Sequence, residues 1–567
     1  MAFTYKNLFI ATLLGLFISS VNAQDAGSLQ RELQLQLERS APSPQIERIE
    51  PSEPKKLNLA EPKILVKGFQ FTGNTLVSTA QLQAVVNPWV NTNITFADLK
   101  DVTIAIQNLY ANQKRIAIAN VPPQEIKDGV ILIEIREGKL GSVIVEPSSP
   151  DSTSRMPTEI AKLYFSRGAN GSQFIDSSSL ERSVILLNEL PGVMALGSFE
   201  PGSKPEETNF RVKLNDRPFF AGQAVLSNYG SPNTGAGQAL ANLSFNNFSG
   251  SGDQGTIDAI QSLGSTYAQL GYSLPVGYDG LRLGIQGSYL SYQTLASWSA
   301  IQTEGTANTI GANASYALIR EFGNAMNVRA SIDDRKYSNN QLGVNISEYQ
   351  VTAFNLGVNG NYYDTPKSVI NYSLTSTTGN LSIKNATQSQ QDSLGPGTAG
   401  TYQKYSFSVS RNNELSFLPN TTWLLSAYGQ FANKNLNSSE QIYLGGPYAV
   451  RAYPVAQGGS SQGTILSTEL QHRLNQHWQI GGFVDAGWVQ QFVTTYSDWQ
   501  GLTNANNTYQ LFASGLTAKY MLDSLAINAA LAMRVGQNPL YNSSGQQLNV
   551  DNAYRTIQGW IRASYAF

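Results

Sequence analysis

The stretch Leu444-Gly445-Gly446-Pro447-Tyr448-Ala449-Val450-Arg451-Ala452-Tyr453-Pro454 lies in a long gap between two segments with strand-like alternation, 421–434 and 463–473. We interpret it as part of a long loop in a β-protein, because Gly-Gly and Pro interrupt regular pairing. Its tip carries one charge, that of Arg451. A charge in such a loop needs a partner.

Asp485 is the best candidate for that partner. Apolar residues in 478–488 share one face of a predicted strand, which places Asp485 on the opposite face. Phe483 also falls on that opposite face, so the alternation is imperfect. If the strand belongs to a membrane barrel, Arg451 reaches Asp485 only when the loop folds into the lumen. The alternative is an ordinary exposed arginine with a surface partner.

Alternating segments continue from Phe219 to the end of the chain. In one of them, Leu281, Leu283, Ile285, Gly287 and Tyr289 oppose Arg282, Gly284, Gln286 and Ser288. One apolar and one polar face at this spacing fit a barrel wall between lipid and water. A soluble β-sandwich with its apolar face inside would show the same parity.

Connection lengths separate these two alternatives. The short connections are predicted at 276–280, 321–324, 363–367, 474–476 and 522–523, and the longer ones at 294–305, 385–400, 435–462, 491–506 and 537–552. Short turns at one rim and long loops at the other are typical of outer-membrane barrels, which have an even number of strands, here about sixteen. The pattern places the Arg451 loop on the extracellular side. The aromatic last residue, Phe567, agrees with a barrel.

Composition excludes several other classes. Only 14% of residues are charged, and 49 Gly and 27 Tyr suit barrel strands. A net charge of -2 gives no reason to expect nucleic acid as a partner, and the absence of Cys excludes disulfides and thiolate chemistry. His472 and His477 lack zinc-ligand spacing. We therefore expect no catalytic residue, metal or cofactor, and no enzyme activity.

The N-terminal region is predicted to be a secretory signal in residues 1–23, with Lys6 before an apolar core and Val21-Asn22-Ala23 as the cleavage site. Residues 24–40 favour a helix whose thin apolar stripe is Leu29, Leu33 and Leu37. The residues alone favour an exposed helix or a disordered leader. A Pro-rich linker follows at 41–61.

Two α+β domains are expected next, at 62–138 and 139–216. The first has predicted strands at 64–71, 115–120 and 130–136 and helices at 78–86 and 96–113. The second has strands at 141–145, 193–199 and 209–214 and helices at 157–167 and 176–190. Both follow the order of one strand, two helices and two strands.

This combination resembles the two-partner secretion transporters, the TpsB or haemolysin secretion/activation family of outer-membrane proteins. The loop is similar to the family's Val-Arg-Gly-Tyr lid motif, here Gly445, Gly446, Val450, Arg451, Ala452 and Tyr453, and the family's strand Asp corresponds to Asp485. Ala452 stands where the family usually has Gly, so the tip would be strained if that position needs φ > 0. Gly68-Phe69-Gln70-Phe71-Thr72-Gly73-Asn74-Thr75 resembles the opening of a POTRA domain, and Lys114 stands where relatives usually have Gly.

The resemblance implies α+β periplasmic POTRA domains followed by an all-β transmembrane barrel of roughly 16 antiparallel strands at 217–567. The helix at 24–40 would plug the barrel. The implied function is to bind an unfolded TpsA-type exoprotein (an adhesin, a haemolysin or a contact-dependent inhibition toxin) through the POTRA domains and to translocate it to the cell surface. Outer-membrane lipid and the outer-membrane assembly machinery are further implied partners. The alternative is a BamA-type insertase, which usually carries more POTRA domains.

Overall fold

The computed structural model of the protein describes residues 25–40, 63–149, 154–166, 174–204, 207–295, 302–500, 506–541, 549–551 and 555–567. The predicted signal (1–23) and linker (41–61) lie outside these residues. The first described element is helix α1 (Ala26–Ser40). No helix in the described ranges is long and apolar enough to cross a membrane.

The first α+β unit packs two helices against a small sheet. Its elements are β1 (Ile64–Val66), β2 (Gly68–Thr72), α2 (Thr79–Val86), β3 (Thr92–Ile94), α3 (Phe96–Asn112), β4 (Ala117–Asn120) and β5 (Val130–Glu137). The sheet order is β2-β5-β4, with β2 parallel to β5. The single strand predicted at 64–71 is wrong. The chain bends where the Lys67 N–H donates to the Gly129 carbonyl (2.7 Å), so β1 pairs instead with β3, which the sequence analysis missed.

The turn after α3 explains the unusual residue at Lys114. Lys114 has a left-handed φ of 60°, a conformation that is uncommon for a residue with a Cβ and natural for glycine. Its N–H donates to the Ala111 carbonyl (2.9 Å), and its carbonyl accepts from the Ser177 N–H (3.1 Å). The turn therefore keeps a glycine-like conformation and ties the first unit to the second.

A buried carboxylate, that of Glu137, joins three segments of the first unit by hydrogen bonds. Glu137 accepts hydrogen bonds from the Thr75 and Leu76 N–H groups (2.7 Å each) and from the Tyr110 hydroxyl (2.8 Å). Burial alone would raise the pKa of Glu137, but hydrogen bonds from Thr75, Leu76 and Tyr110 outweigh it and hold the pKa below its ordinary value. The network joins the end of β5 to the POTRA-like opening of the unit.

The second unit lacks equivalents of β1 and β3 in its described residues and consists there of five elements. They are β6 (Lys139–Pro147), α4 (Thr158–Leu163), α5 (Ser177–Glu189), β7 (Val193–Pro201) and β8 (Glu207–Asp216), with sheet order β6-β8-β7. Helix α4 is shorter than the helix predicted at 157–167, and Arg167 lies outside the described residues. The apolar core of this unit includes Ala317, which belongs to the barrel described next.

In the described part of the chain, sixteen antiparallel strands form a closed barrel, and neighbours in the sheet are neighbours in sequence except at the closure between the first and last strands. The strands are β9 (Phe220–Ser227), β10 (Gln238–Asn246), β11 (Gln254–Gln261), β12 (Ser265–Val276), β13 (Leu281–Gln293), β14 (Thr303–Glu321), β15 (Asn324–Gln341), β16 (Val344–Thr365), β17 (Ser368–Ile383), β18 (Gly400–Glu414), β19 (Thr421–Ala432), β20 (Gln462–Arg473), β21 (Trp478–Gln490), β22 (Thr508–Leu522), β23 (Leu525–Arg534) and β24 (Ile557–Ala566). The barrel closes where β24 pairs with β9, from Arg562 opposite Ser227 to Ala566 opposite Gln223. The predicted sixteen-stranded barrel is confirmed.

The predicted parity of the wall is also confirmed. On β13, Leu283 and Ile285 are 43% and 64% exposed on the outer surface. Arg282 and Gln286 from the same strand line a cavity in the lumen. Exposed apolar side chains continue around the outside, for example Leu226, Leu270, Ile310, Leu356, Leu374, Leu466, Val484, Leu516 and Ile561. This arrangement matches an outer face in contact with lipid.

The two rims differ less than predicted. Two connections on the long-loop rim are short: residues 262–264 join β11 to β12, and Leu342–Gly343 joins β15 to β16. Leu342 and Gly343 have φ of 49° and 78°, as a two-residue hairpin requires. The loop predicted at 385–400 contains helix α6 (Ala386–Leu394). The strict alternation of short and long connections is therefore wrong for this part of the barrel.

Candidate functional site

The loop between β19 and β20 folds into the barrel instead of projecting from its rim. We call residues 433–461 the lid loop. Its residues Leu444, Val450 and Tyr453 are fully buried. They form one apolar cluster with inward side chains of β20, β21 and β22. The loop is thus packed against the wall from inside.

Glycines allow this close packing. A Cβ on Gly445 would lie 2.2 Å from a carbonyl oxygen of the same loop, and Gly446 has a left-handed φ of 118°. On the wall, a Cβ on Gly487 would lie 2.9 Å from Cγ2 of Val450. Ala452 is not among the described residues with positive φ. The backbone strain considered for an alanine at this position is therefore absent.

Arg451 meets Asp485 in a two-point ion pair. Its Nε and Nη2 lie 2.9 Å from Oδ2 and Oδ1 of Asp485, and its backbone N–H donates to Oδ2 at 3.1 Å. Asp485 is 0% exposed. Nη1 of Arg451 also lies 2.7 Å from Oε2 of Glu469, and Nη2 lies 3.2 Å from Oγ of Ser467. The structure thus brings the two residues singled out in the sequence together and adds a second carboxylate that the sequence analysis missed.

An aromatic residue accounts for the break in the β21 pattern. The guanidinium of Arg451 lies over the Phe483 ring, 3.3 Å from its centroid. Phe483 therefore faces inward because it supports a cation, an interaction that strengthens when it is shielded from water. Trp560 of β24 donates from Nε1 to the Arg451 carbonyl at 2.7 Å. Side chains from β20, β21 and β24 together hold the tip of the lid loop.

The burial of the Arg451–Asp485 pair determines how strongly it stabilises the position of the lid loop. Two charges removed from water repay the cost of desolvation only with good geometry and further hydrogen bonds, and both are present here. Removing one partner would leave a buried charge without compensation, which costs about 3–5 kcal/mol. The pair therefore favours one position of the loop strongly over others.

Helix α1 occupies the lumen beside the lid loop. Leu29 and Leu33 are fully buried and pack with apolar and tyrosine side chains of the wall. Nε2 of Gln30 donates to Oγ1 of Thr309 at 2.7 Å, and the Ala26 N–H donates to Oδ1 of Asn339 at 2.9 Å. The exposed or disordered leader expected from the residues alone is wrong, because the barrel interior supplies partners that the sequence of the helix does not reveal.

The lid loop contacts both ends of α1. Near the N-terminal end, Ser438 donates its hydroxyl proton to the Asp25 carboxylate. Near the C-terminal end, Arg39 donates to the Tyr448 carbonyl and lies 4.4 Å from the ring centroid of Tyr428. A cavity of about 940 Å³ remains beside the helix. Helix and loop therefore occupy part of the lumen as two segments in mutual contact.

The model of the family described as "Haemolysin secretion/activation protein ShlB/FhaC/HecB" matches residues 206–505, more than half of the 567-residue chain. The chain belongs to this family. It is an outer-membrane transporter of the two-partner secretion type, and its α+β units lie in the periplasm. A model of the ShlB-type POTRA domain matches residues 64–138, the first of those units.

Two known transporters match this chain over most of its length. The haem/haemopexin transporter protein HuxB of Haemophilus influenzae (strain 86-028NP) is 25% identical over 98% of both chains. The outer membrane transporter CdiB of Escherichia coli (strain 536) is 26% identical over 80% of this chain and 76% of its own length. The fold of the present chain is similar to that of the solved structure of CdiB from Escherichia coli, with a TM-score of 0.68 and 21% identity. The match covers 97% of this chain and all of the CdiB chain. A solved chain of BamA from Haemophilus ducreyi that lacks POTRA domains 1–3 shares the fold with a lower TM-score of 0.52 (13% identity, 88% of this chain and all of that chain). The family match favours the transporter over the insertase.

In this transporter the second periplasmic unit is fixed to the barrel. Nε of the barrel residue Arg320 lies 2.6 Å from Oε1 of Glu189 at the end of α5. Arg182 of α5 pairs with Asp279 in the turn between β12 and β13 (3.2 Å). The second unit therefore lies against the rim of the barrel.

Both histidines have structural contacts. Nδ1 of His472 lies 2.9 Å from Oγ1 of Thr421 on the neighbouring strand, and Nδ1 of His477 lies 2.9 Å from the Met521 carbonyl. In the described residues, no group of three or more His, Asp or Glu side chains could hold a metal ion. Members of this family are transporters.

Proposed function

We propose that this transporter receives one unfolded TpsA-type exoprotein in the periplasm and passes it through the barrel after α1 and the lid loop have left the lumen. The observation that carries the proposal is the content of the lumen. Helix α1 and the lid loop lie inside the barrel and pack against inward side chains of its wall. A barrel of this strand number otherwise encloses an aqueous channel wide enough for an extended chain.

The client is proposed to bind by adding a strand to an exposed sheet edge. In the second unit, β7 pairs with β8 alone among the described strands and carries exposed Leu196 (53%) and Phe199 (47%). In the first unit, β4 is an edge and carries exposed Ile118 (55%). Backbone hydrogen bonds at such an edge accept many sequences, and the apolar side chains beside it select among them. The alternative is that both units act only as a rigid spacer.

The proposed client classes are an adhesin, a haemolysin or a contact-dependent inhibition toxin. The name of HuxB, a haem/haemopexin transporter that matches over 98% of this chain, adds a client connected with haem or haemopexin. The sequence has no phosphate-binding loop of the G-x-x-x-x-G-K-[ST] type, so folding of the client outside the cell is proposed as the driving force. Purified barrel in liposomes should then move an unfolded client without an added energy source.

The test compares proteins at the cell surface and in the medium of the native host with and without this chain. Loss of one large exoprotein, with other outer-membrane proteins unchanged, is the expected result and identifies the client. A general fall in many outer-membrane barrels would contradict the proposal and point to an insertase.

A further inference from the structure

A second buried charge cluster holds the root of the lid loop, away from Arg451. Near its start the lid loop contains a short 3-10 turn, Ser438–Glu440, and Glu440 is 1% exposed. Nη1 of Arg335 on β15 lies 2.7 Å from Oε1 of Glu440, and Nζ of Lys404 on β18 lies 2.9 Å from Oε2. The two cations come from strands that are not neighbours, so the carboxylate joins distant parts of the wall through the loop.

The backbone of the same turn is held as well. Nζ of Lys404 and Nε2 of Gln430 on β19 both donate to the Glu440 carbonyl, each at 2.9 Å. Main chain and side chain of Glu440 are thus fixed from three strands. A buried carboxylate between two cations has few alternative positions, because leaving either cation unpaired in the interior is unfavourable.

Helix α1 rests on this turn. A Cβ on Gly27 would lie 2.7 Å from Cβ of Ser439, the residue before Glu440, so glycine is needed for the approach. Ser438 bonds the Asp25 carboxylate just before the helix begins. The residues that touch the helix are therefore next to the residue that the wall holds. The contacts of Arg451 lie on β20, β21 and β24, on another part of the wall.

We propose that Glu440 is a positioning residue for helix α1. Its pairs with Arg335 and Lys404 hold the turn that seats the N-terminal end of the helix, independently of the Arg451–Asp485 pair at the tip. The inference rests on the proposed function in one respect, that the helix must leave the lumen during transport. Weakening the Glu440 cluster then unseats the helix while the tip of the lid loop stays in place.

The test measures, in outer membranes, how readily helix α1 is crosslinked to the barrel wall in its position inside the lumen. Because the chain has no Cys, Gln30→Cys and Thr309→Cys supply the two thiols for a short bis-methanethiosulfonate linker. In this background we expect Glu440→Gln to slow crosslinking about tenfold, because a neutral side chain no longer compensates the two buried cations that hold the turn. Arg451→Ala should leave the crosslinking rate unchanged.

The matched control is Asp392→Asn. Asp392 is another buried loop carboxylate, but within the described residues its hydrogen bonds come from Thr398 and Ala399 of its own loop. Folding of every variant is checked by the heat-modifiable migration of the barrel. If Glu440→Gln does not fold, Lys404→Gln, which removes one of the two cations, is measured in its place.

The outcomes separate the possibilities. Slower crosslinking in the Glu440 or Lys404 variant, with Asp392→Asn unchanged, supports the inference. An unchanged rate in a folded Glu440 or Lys404 variant overturns it and leaves Glu440 as a support of the wall alone. Secretion of the client is recorded in parallel. If the crosslinking rate changes but the wild-type chain exports no client, the proposed function fails and the positioning role stands.

Discussion

Replacing Arg451 by alanine removes the charge that fixes the tip of the lid loop. The substitution deletes the two-point pair with Asp485, the contact with Glu469 and the stacking on Phe483. The side chains of Arg451 and Asp485 are only 12% and 0% exposed, so water does not compensate the carboxylates that remain.

The free energy lost in the variant depends on the hydrogen bonds that Asp485 keeps. The backbone N–H of residue 451 (3.1 Å) and the Ser467 hydroxyl (2.7 Å) still donate to Asp485 in the variant. We therefore take about 3 kcal/mol, the lower end of the range for breaking a buried pair. This energy lowers the ratio of anchored to released lid tip roughly hundredfold.

The expected result for Arg451→Ala is a folded, inserted barrel that secretes less client. Secretion falls because Asp485 and Glu469 lose their cationic partner beside the path of the client, and the lid loop no longer takes up one defined position there. The assays are heat-modifiable migration for folding, membrane fractionation for insertion and the amount of exoprotein in the medium. Normal secretion by the folded variant would refute the role of the pair.

The control is Arg411→Ala. Arg411 also lies on a barrel strand and pairs with a carboxylate, Asp364, at 2.7 Å. That pair is 42% and 28% exposed, and water and salt screen such pairs so that they contribute little to stability. We expect secretion by this variant to equal that of the wild type.

Two further substitutions test the periplasmic part. Glu137→Gln should destabilise the first unit by about 2 kcal/mol near neutral pH, seen as a lower unfolding temperature by calorimetry. The pKa of Glu137 is held below its ordinary value, so its stabilising effect is lost as the pH falls through that lowered pKa, and the difference from wild type should disappear in acid. Glu189→Lys places a like charge against Arg320 and should broaden spin-label distances between α5 and the barrel without changing barrel folding. Unchanged distances would show that apolar packing alone fixes the second unit.

Much of the wall and one ion pair could be predicted from the sequence. Alternation places Leu283 and Ile285 outside because side chains of a strand point to opposite faces in turn. The same parity was available for Glu469, two residues after the inward Ser467, and could have revealed the second carboxylate at Arg451. Phe483 breaks the alternation because its ring contacts Arg451 of the lid loop. The sequence around Phe483 does not reveal this contact with a distant residue.

The contents of the lumen were the hardest part to predict. Leu29 and Leu33 form a stripe too thin to indicate burial, because the remaining faces of α1 are polar and match a polar barrel interior. Glu440 sits in an irregular loop without periodicity, and its partners Arg335 and Lys404 are distant in sequence. Such contacts depend on the closed barrel, which brings separate strands around one segment.

The claim that helix α1 must leave the lumen for transport is tested most directly by locking it. Gln30→Cys and Thr309→Cys are joined in living cells by the reducible bis-methanethiosulfonate linker, and exported client is measured before and after reduction. The account predicts that export stops in linked chains and returns when the linker is reduced, while single-cysteine chains export normally throughout. Unchanged export through the linked barrel would contradict it.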